Sequence, residues 1–432
     1  MPICAPEKIN GPAKRPSSWN SGIANYFNKE RSMPKPSDPP KTLRWTIIGG
    51  GNGGQSVCAH LAILGYQVRL YDISPATVDV INKQGGIELT GVVQGFGKID
   101  RATTDLSEAV RGAQIIMVIA PATAHRHIAK ALAPFLQDDQ IIVLHPGATC
   151  GALEFHKVLA DEKCPVKVTI GETNTLIYAC RSSRPGQATI FGIKNKLLVA
   201  ALPAGESTTV ADKLKSAYPQ VQAADNVLVT SFDNTNPIVH PAPILLNTAV
   251  IESQREWLFY REGITPAVGA FLEKMDAERV AVGKALGVAL WSCRDQYAIE
   301  YGVHARTLAE AVGKNDAYAD IKGPNCLETR YLLEDIPMGL VPLVAIGKRL
   351  KVSVQRMETI IKLGEFILGK DLTTMGRTLE KIGLSDMTAG EIRRFIETGK
   401  KGVGSKNQRP PAEVALAPSR GHPHTPSSAG GR

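Results

Sequence analysis

No stretch of about 18 apolar residues free of charge occurs in this chain, so no membrane-spanning helix is expected. The first twenty residues, "MPICAPEKINGPAKRPSSWN", lack an apolar h-region and do not read as a secretory signal. No CxxC pair and no zinc-like Cys/His spacing appears among Cys4, Cys58, Cys150, Cys164, Cys180, Cys293 and Cys326, so no metal site is expected. Scattered thiols, odd in number, suit a reducing compartment, and a cytoplasmic location is the expectation. Internal repeats are absent too. The net charge of +9 lacks the clustering that nucleic acid requires. Residues 1–44 carry +5 and residues 400–432 carry +5, leaving −1 between them. The basic excess sits on the flanks, so neither a nucleic-acid nor a membrane partner is expected.

What is present suits a globular protein of two domains. There are 432 residues, 43% apolar and 21% charged. Residues 1–43 are rich in Pro, Ser, Lys and Asn, with "MPKPSDPPK" near their end, and they and residues 401–432 read as disordered extensions. From Arg44, apolar runs such as "RWTIIG", "QVRLYD", "AQIIMVIAP", "QIIVLHPG" and "KVTIGE" alternate with helical spacing. That predicts a parallel sheet covered on both faces. From about Asn226 the strand signal fades. "TPAVGAFLEKMDAERVAVGKALG" reads as a helix with Thr265 as N-cap, Pro266 first and Gly287 as stop. The expected fold is α/β: a Rossmann-type dinucleotide-binding domain over 44–225, then an all-α domain over 226–400.

"IIGGGNGG" joins the first strand to the first helix. Gly49, Gly51 and Gly54 fit GxGxxG, with Gly50, Asn52 and Gly53 completing the loop. Such a loop allows a tight turn, close approach of a pyrophosphate, and phosphate binding at a helix N-terminus. Asp72 follows 23 residues after Gly49, at the end of the next strand. A carboxylate there accepts from a ribose 2′-OH and repels a 2′-phosphate, so NAD is expected over NADP. Arg69, the natural ally of NADP, falls on the opposite face of its strand. "VIAPATAH" places Ala120, Pro121 and Ala122 at the carboxyl end of another strand, beside the cofactor. His125 reads first as a surface residue at a helix start and second as a site histidine. The rival to a bound dinucleotide is a glycine-rich turn with no ligand.

The later residues carry a resemblance. "NPIVHPAPILLN", "FYREGITPAV", "DAERVAV" and "TRYLLEDIPMGLVPL" resemble the octopine/nopaline dehydrogenase family. "LHPGATCGALEFHKVL", "GETNTLIYACRSSRPGQ" and "GRTLEKIGLSDMTAGEIR" are similar to its bacterial opine dehydrogenases. The resemblance spans roughly residues 44–397. It implies coupling of an amino acid's amine to a 2-oxo acid and reduction of the imine with a nicotinamide cofactor. It also implies that His240 is the catalytic histidine, Asp335 its partner and Arg330 a substrate-binding arginine. Thr173 and Thr175 fall in a substrate-side loop, and Asn247 closes the histidine motif on the same side. The expected partners are then an amino acid and a 2-oxo acid, with a homodimer left open.

The chemistry suits those residue types. A base must take the amine's proton, an acid must help water leave, and a hydride must reach the imine carbon. One histidine can serve both proton steps. A carboxylate can fix its tautomer and stabilise its cation. Arginine can hold a carboxylate through two parallel N–H···O bonds. Blander readings stand beside these. His240 before Pro241 reads equally as a loop residue, and Arg330 with Asp335 as a surface ion pair, with Glu334 a substitute for Asp335. His60, His145, His156 and His304 read as structural or solvated, and Cys180 lacks an activating base. Two rival functions are a 2-oxo or 2-hydroxy acid reductase without amine coupling and a silent nucleotide sensor.

Overall fold

The computed structural model describes residues 41–401. The expected extensions lie outside the described residues except at their inner ends: the first strand already begins at Lys41, three residues before the expected boundary. Twelve strands are found among the described residues: β1 (Lys41–Ile48), β2 (Tyr66–Tyr71), β3 (Gly86–Gly91), β4 (Gly95–Lys98), β5 (Arg101–Thr103), β6 (Ile115–Val118), β7 (Ile141–Leu144), β8 (Thr169–Thr173), β9 (Tyr178–Arg184), β10 (Gln187–Ile193), β11 (Leu197–Leu202) and β12 (Val221–Ala223). Eight form one sheet in the order β12-β11-β8-β7-β6-β1-β2-β5. All its pairs are parallel except β8–β11.

Alternation along the central strands explains why both faces are covered. Trp45 and Ile47 of β1 enter one core, and Ile48 enters the other. Ile115 and Met117 oppose Ile116 and Val118 in β6, and Ile141 and Val143 oppose Ile142 and Leu144 in β7. Strands apolar on both sides must be sandwiched between helices. The core on the Ile48 side runs without a break into the helical half, taking in Leu245, Met275, Ile336, Leu343 and Phe395.

A second sheet, β4-β3-β10-β9, was not foreseen. β3 and β4 are glycine-rich and half exposed, so they carry little hydrophobic signal. It lies on helix α1 (Asn52–Ile63), and at Gly97 a Cβ would stand 2.5 Å from the Ala59 carbonyl oxygen. The chain passes through this sheet between β8 and β11, so β11 returns antiparallel instead of crossing over through a helix.

After β12 the described residues form helices, apart from one isolated bridge between Leu258 and Lys322. The long helix Pro266–Ala285 starts where the sequence placed it: the Thr265 side chain accepts from the Val268 N–H. Leu272, Met275, Val282 and Leu286 are buried, and Gly287 turns the chain at φ +77°. Asp276 and Arg279 on this helix form a buried pair at 2.7 Å. Arg279 also donates to the carbonyls of Phe232 and Trp291, so the "DAER" stretch serves packing.

Arg377 ties the two halves together. It is fully buried and reaches from the helical half into the sheet half. Its Nε donates to Glu154 at 2.8 Å, and its Nη1 donates to the carbonyls of Gly147 and Thr149. Removing one partner of such a pair costs about 3–5 kcal/mol, because the other charge is left uncompensated.

Candidate active site

The glycine loop forms where β1 ends. Gly49 has φ +110°, and a Cβ there would stand 2.3 Å from the Ile119 carbonyl oxygen. A Cβ on Gly54 would stand 1.7 Å from the Gly49 oxygen, so α1 can seat against the turn only with glycine there. At Gly51 a Cβ would meet nothing within 4 Å. The first amides of α1 have no helical partner, and no side chain among the described residues caps them. An open cradle of free N–H groups at a twelve-residue helix fits a pyrophosphate. Gln55 holds the loop from beneath, its amide donating to the Gly50 carbonyl at 2.8 Å. The Asn52 side chain faces elsewhere and accepts from the Ser182 N–H at 2.9 Å, which leaves its backbone N–H for the cradle.

Asp72 stands at the end of β2, and its two oxygens accept from the Gly50 N–H at 2.5 Å and the Ser74 N–H at 2.8 Å. The carboxylate therefore shapes the loop and retains lone pairs for a ribose hydroxyl. Arg69 is turned away, donating to the carbonyls of Glu108 and Arg111. Ala120 and Pro121 lie past the end of β6, half-buried and exposed respectively.

His240 and Asp335 meet across 95 residues. His240 sits where two short helices join, Asn236–Val239 and Pro241–Leu246. Pro241 has no N–H to continue the helical ladder, so the chain turns at the histidine. Asp335 lies in a wide turn. Its N–H bonds the Arg330 carbonyl, and its own carbonyl accepts from Leu340, each five residues apart. Pro337 cannot donate, which opens the ordinary helical spacing there. The two motifs dock closely, since a Cβ on Gly339 would stand 2.3 Å from the Pro237 ring.

The resulting pair is mostly buried. His240 Nδ1 and Asp335 Oδ2 are 2.8 Å apart, with side chains 11% and 18% exposed. Burial raises the Asp335 carboxyl above its ordinary range, and the hydrogen bond from His240 opposes that rise. Tyr260, which sequence reasoning did not single out, places its hydroxyl 3.1 Å from His240 Nε2. Burial pushes the Tyr260 hydroxyl well above its ordinary value, so it stays protonated. An O–H donating to Nε2 and a carboxylate accepting from Nδ1–H fix one neutral tautomer. The Tyr331 ring lies 4.4 Å from the His240 ring and holds its plane. Both tyrosines stand inside stretches that carry the family resemblance, and that was the available signal.

Arg330 does not pair with Asp335. Its Nε donates to Glu334 Oε2 at 2.6 Å, and its side chain is 80% exposed. Glu334 Oε1 accepts from the Ala122 N–H at 2.8 Å, on the loop after β6.

Three expected substrate contacts are otherwise engaged. Thr173 is buried, bonded to His145 Nδ1 at 2.7 Å and donating to the Thr175 carbonyl. The Thr175 hydroxyl accepts from Lys194 at 2.7 Å. The Asn247 amide donates to the carbonyls of Pro243 and Gly263. These bonds hold the loop and the motif end in shape. His125 is neither on the surface nor in the cleft: it is fully buried, and its Nδ1 accepts from Arg377 Nη2 at 2.9 Å. Burial and then the Arg377 charge lower it to about 3, which removes it as a base. Among the described residues no group of three His, Cys, Asp or Glu side chains could hold a metal ion, and no helix is long and apolar enough to cross a membrane.

The chain is similar to known proteins. Residues 223–368 match the family "NAD/NADP octopine/nopaline dehydrogenase, alpha-helical domain", and residues 44–169 match "NAD-dependent glycerol-3-phosphate dehydrogenase N-terminus". The opine dehydrogenase of Arthrobacter sp. (strain 1C) is 41% identical over 354 residues, covering 82% of this chain and 98% of that protein. Octopine dehydrogenase solved with NADH and agmatine shares the fold at a TM-score of 0.71 and 22% identity, covering 84% of this chain and 100% of the other. Octopine dehydrogenase solved with NADH and pyruvate does so at 0.70 and 21%, with the same coverage. The helical-domain match and the 41% identity along nearly the whole Arthrobacter protein mean that the chain belongs to the octopine/nopaline (opine) dehydrogenase family.

Proposed function

We propose that this protein joins the amine of an amino acid to a 2-oxo acid and reduces the resulting imine, the reverse oxidation using the same groups. The chain is an NAD-dependent oxidoreductase acting on CH–NH donors. Residues 44–225 hold the dinucleotide, and residues 226–400 present the acid/base and anion-binding groups. The observation that carries the reading is the His240–Asp335 pair at 2.8 Å, with Tyr260 on the other ring nitrogen.

His240 takes the proton of the attacking amine at Nε2, and Asp335 stabilises the imidazolium through Nδ1. The same Nε2–H then protonates the departing hydroxyl of the carbinolamine. Arg330 receives the carboxylate of the 2-oxo acid on its terminal nitrogens. The bound nicotinamide supplies the hydride. Gly49–Gly54 hold its pyrophosphate, Asp72 favours a free 2′-hydroxyl, and Ala120 with Pro121 border it. Thr173, Thr175 and Asn247 shape the substrate side from behind.

The relatives support a 2-oxo acid and an amine as substrates: octopine dehydrogenase has been solved with pyruvate and with agmatine. Cytoplasmic residence is part of the proposal: the free thiols of Cys58, Cys150, Cys164, Cys180 and Cys293 fit a reducing compartment, whereas the disulfide bond at Cys326 does not. A homodimer remains part of the proposal, and a monomer mass in solution would argue against it. A grid of amino acids against 2-oxo acids, followed by NADH loss and product mass, tests the activity. NADH loss that needs both partners and a product of condensed mass is expected. NADH loss with the 2-oxo acid alone would instead make the protein a simple reductase.

A further inference from the structure

We propose that Glu334 is a positioning residue for this reaction, presenting Arg330 to the 2-oxo acid and locking it to the loop after β6. This inference rests on the role given to Arg330 above. Glu334 is 13% exposed in its side chain, whereas Arg330 is 80% exposed. Oε2 accepts from Arg330 Nε at 2.6 Å, while Oε1 accepts from the Ala122 N–H at 2.8 Å, 212 residues away. One carboxylate thus joins the anion-binding arginine to the loop that borders the dinucleotide. The helical half also grips that loop through Arg377, which packs against the Ala122 carbonyl and bonds His125.

An ordinary ion pair four residues apart on a helix contributes little and links nothing beyond its own turn. This pair differs because the acid is buried and its second oxygen reaches the other half of the protein. An exposed arginine has many rotamers, and binding must immobilise them. Held side-on at Nε, Arg330 keeps one direction, with both terminal nitrogens lacking a hydrogen-bond partner among the described residues. Those two nitrogens make the fork that a carboxylate accepts. The ordering cost is met before substrate arrives.

Glu334→Gln isolates this role. Its amide oxygen can still accept from the Ala122 N–H, but its NH2 group faces Arg330 Nε as donor against donor. The KM for the 2-oxo acid is expected to rise about 2- to 10-fold, the cost of ordering one long side chain. Turnover and NADH affinity, the latter read by fluorescence titration, should stay within about twofold. Arg330→Ala should raise the same KM further, and adding Glu334→Gln to it should change nothing more. Glu334→Asp, too short to reach both partners, should raise the KM as Gln does. Melting curves beside each variant separate misfolding from loss of position. The proposal is overturned if Glu334→Gln and Glu334→Asp leave the 2-oxo acid KM unchanged. It is also overturned if Glu334→Gln raises that KM equally with and without Arg330. An unmoved KM in Arg330→Ala would remove the anion-binding role of Arg330 itself, and this inference with it.

Discussion

His240 has a different neighbour on each ring nitrogen, and that division defines its work. Asp335 accepts at Nδ1, and Tyr260 lies at Nε2. The nitrogen that must exchange protons with substrate is therefore the one facing a hydroxyl, not the one facing a carboxylate. His240→Ala should lower turnover by roughly 10²- to 10⁴-fold, the usual range for a positioned acid/base group. Asp335→Asn should lower it too, since an amide offers no charge to the imidazolium. The double variant should cost little more than His240→Ala alone, because the groups act as a unit. NADH titration should be unchanged in all three. Near-normal turnover in His240→Ala would remove the histidine from the mechanism. His240 and Asp335 were legible through the family resemblance of their motifs. Tyr260 stands in such a stretch too, but nothing in the sequence separates it from Phe259, Tyr318 and Tyr331, which pack against it or lie beside the histidine. The internal bonds of Thr173 and Asn247 were not legible either, since Thr175 and Gly263 offer them their carbonyls only once the chain is folded.

At the scale of elements, two short turns hold the chemistry. The wide turn after Arg330 carries Asp335, and Gly339 within it meets the Pro237 ring beside His240. Gly339→Ala would set a methyl 2.3 Å from that ring, so one motif must shift against the other. The expected cost is about 1–3 kcal/mol of stability from overpacking. Turnover should fall more than that loss explains, because the His240–Asp335 distance opens. Turnover that stays normal in a protein that melts lower would detach the docking from catalysis. The glycine loop is the other turn. Asp72 there holds Gly50 and Ser74 by their N–H groups as well as facing a ribose. Asp72→Asn removes the charge and keeps one acceptor, which Gly50 or Ser74 can use, while its NH2 faces the other N–H as donor against donor. It should narrow the preference for NADH over NADPH more through better NADPH binding than through poorer NADH binding. An unmutated enzyme that already prefers NADPH would break the rule at its root. This loop was readable because backbone constraints demand its glycines. The β3, β4, β9 and β10 sheet was not, since β3 and β4 are short and glycine-rich and β9 is largely exposed, and the alternation along β10 does not say which strands it joins.

Across the whole molecule, the sheet half and the helical half share one core, and buried polar groups stitch them together. The alternation of strands and helices was plain in the sequence. The continuity of the core was not, because Arg377 and His125 look like surface residues until they pair. Buried histidines make stability depend on pH. His60 is lowered to about 4 by burial, His145 to about 3 by burial and then Lys194, and His125 to about 3. In the unfolded chain each takes up a proton near pH 6.5. Between there and their folded values the unfolded state binds more protons, so stability is complete above pH 6.5 and falls as pH drops. Each group contributes a slope of about 1.4 kcal/mol per pH unit, or about 4 for the three. Glu172, Asp335 and Glu300, raised chiefly by burial, act in the opposite sense, gaining protons in the folded state. His156 is lowered by burial too, so four histidines stand against three carboxyls, and denaturant midpoints should fall from pH 6.5 to 5. His60 lies away from the catalytic pair, bonded to the Tyr178 hydroxyl at 2.5 Å. His60→Asn can still bond that hydroxyl but cannot titrate, and it should flatten the slope by about 1.4 kcal/mol per pH unit. A slope identical to that of the unmutated protein would mean that His60 is protonated in both states or in neither, and that its burial does not shape the acid response.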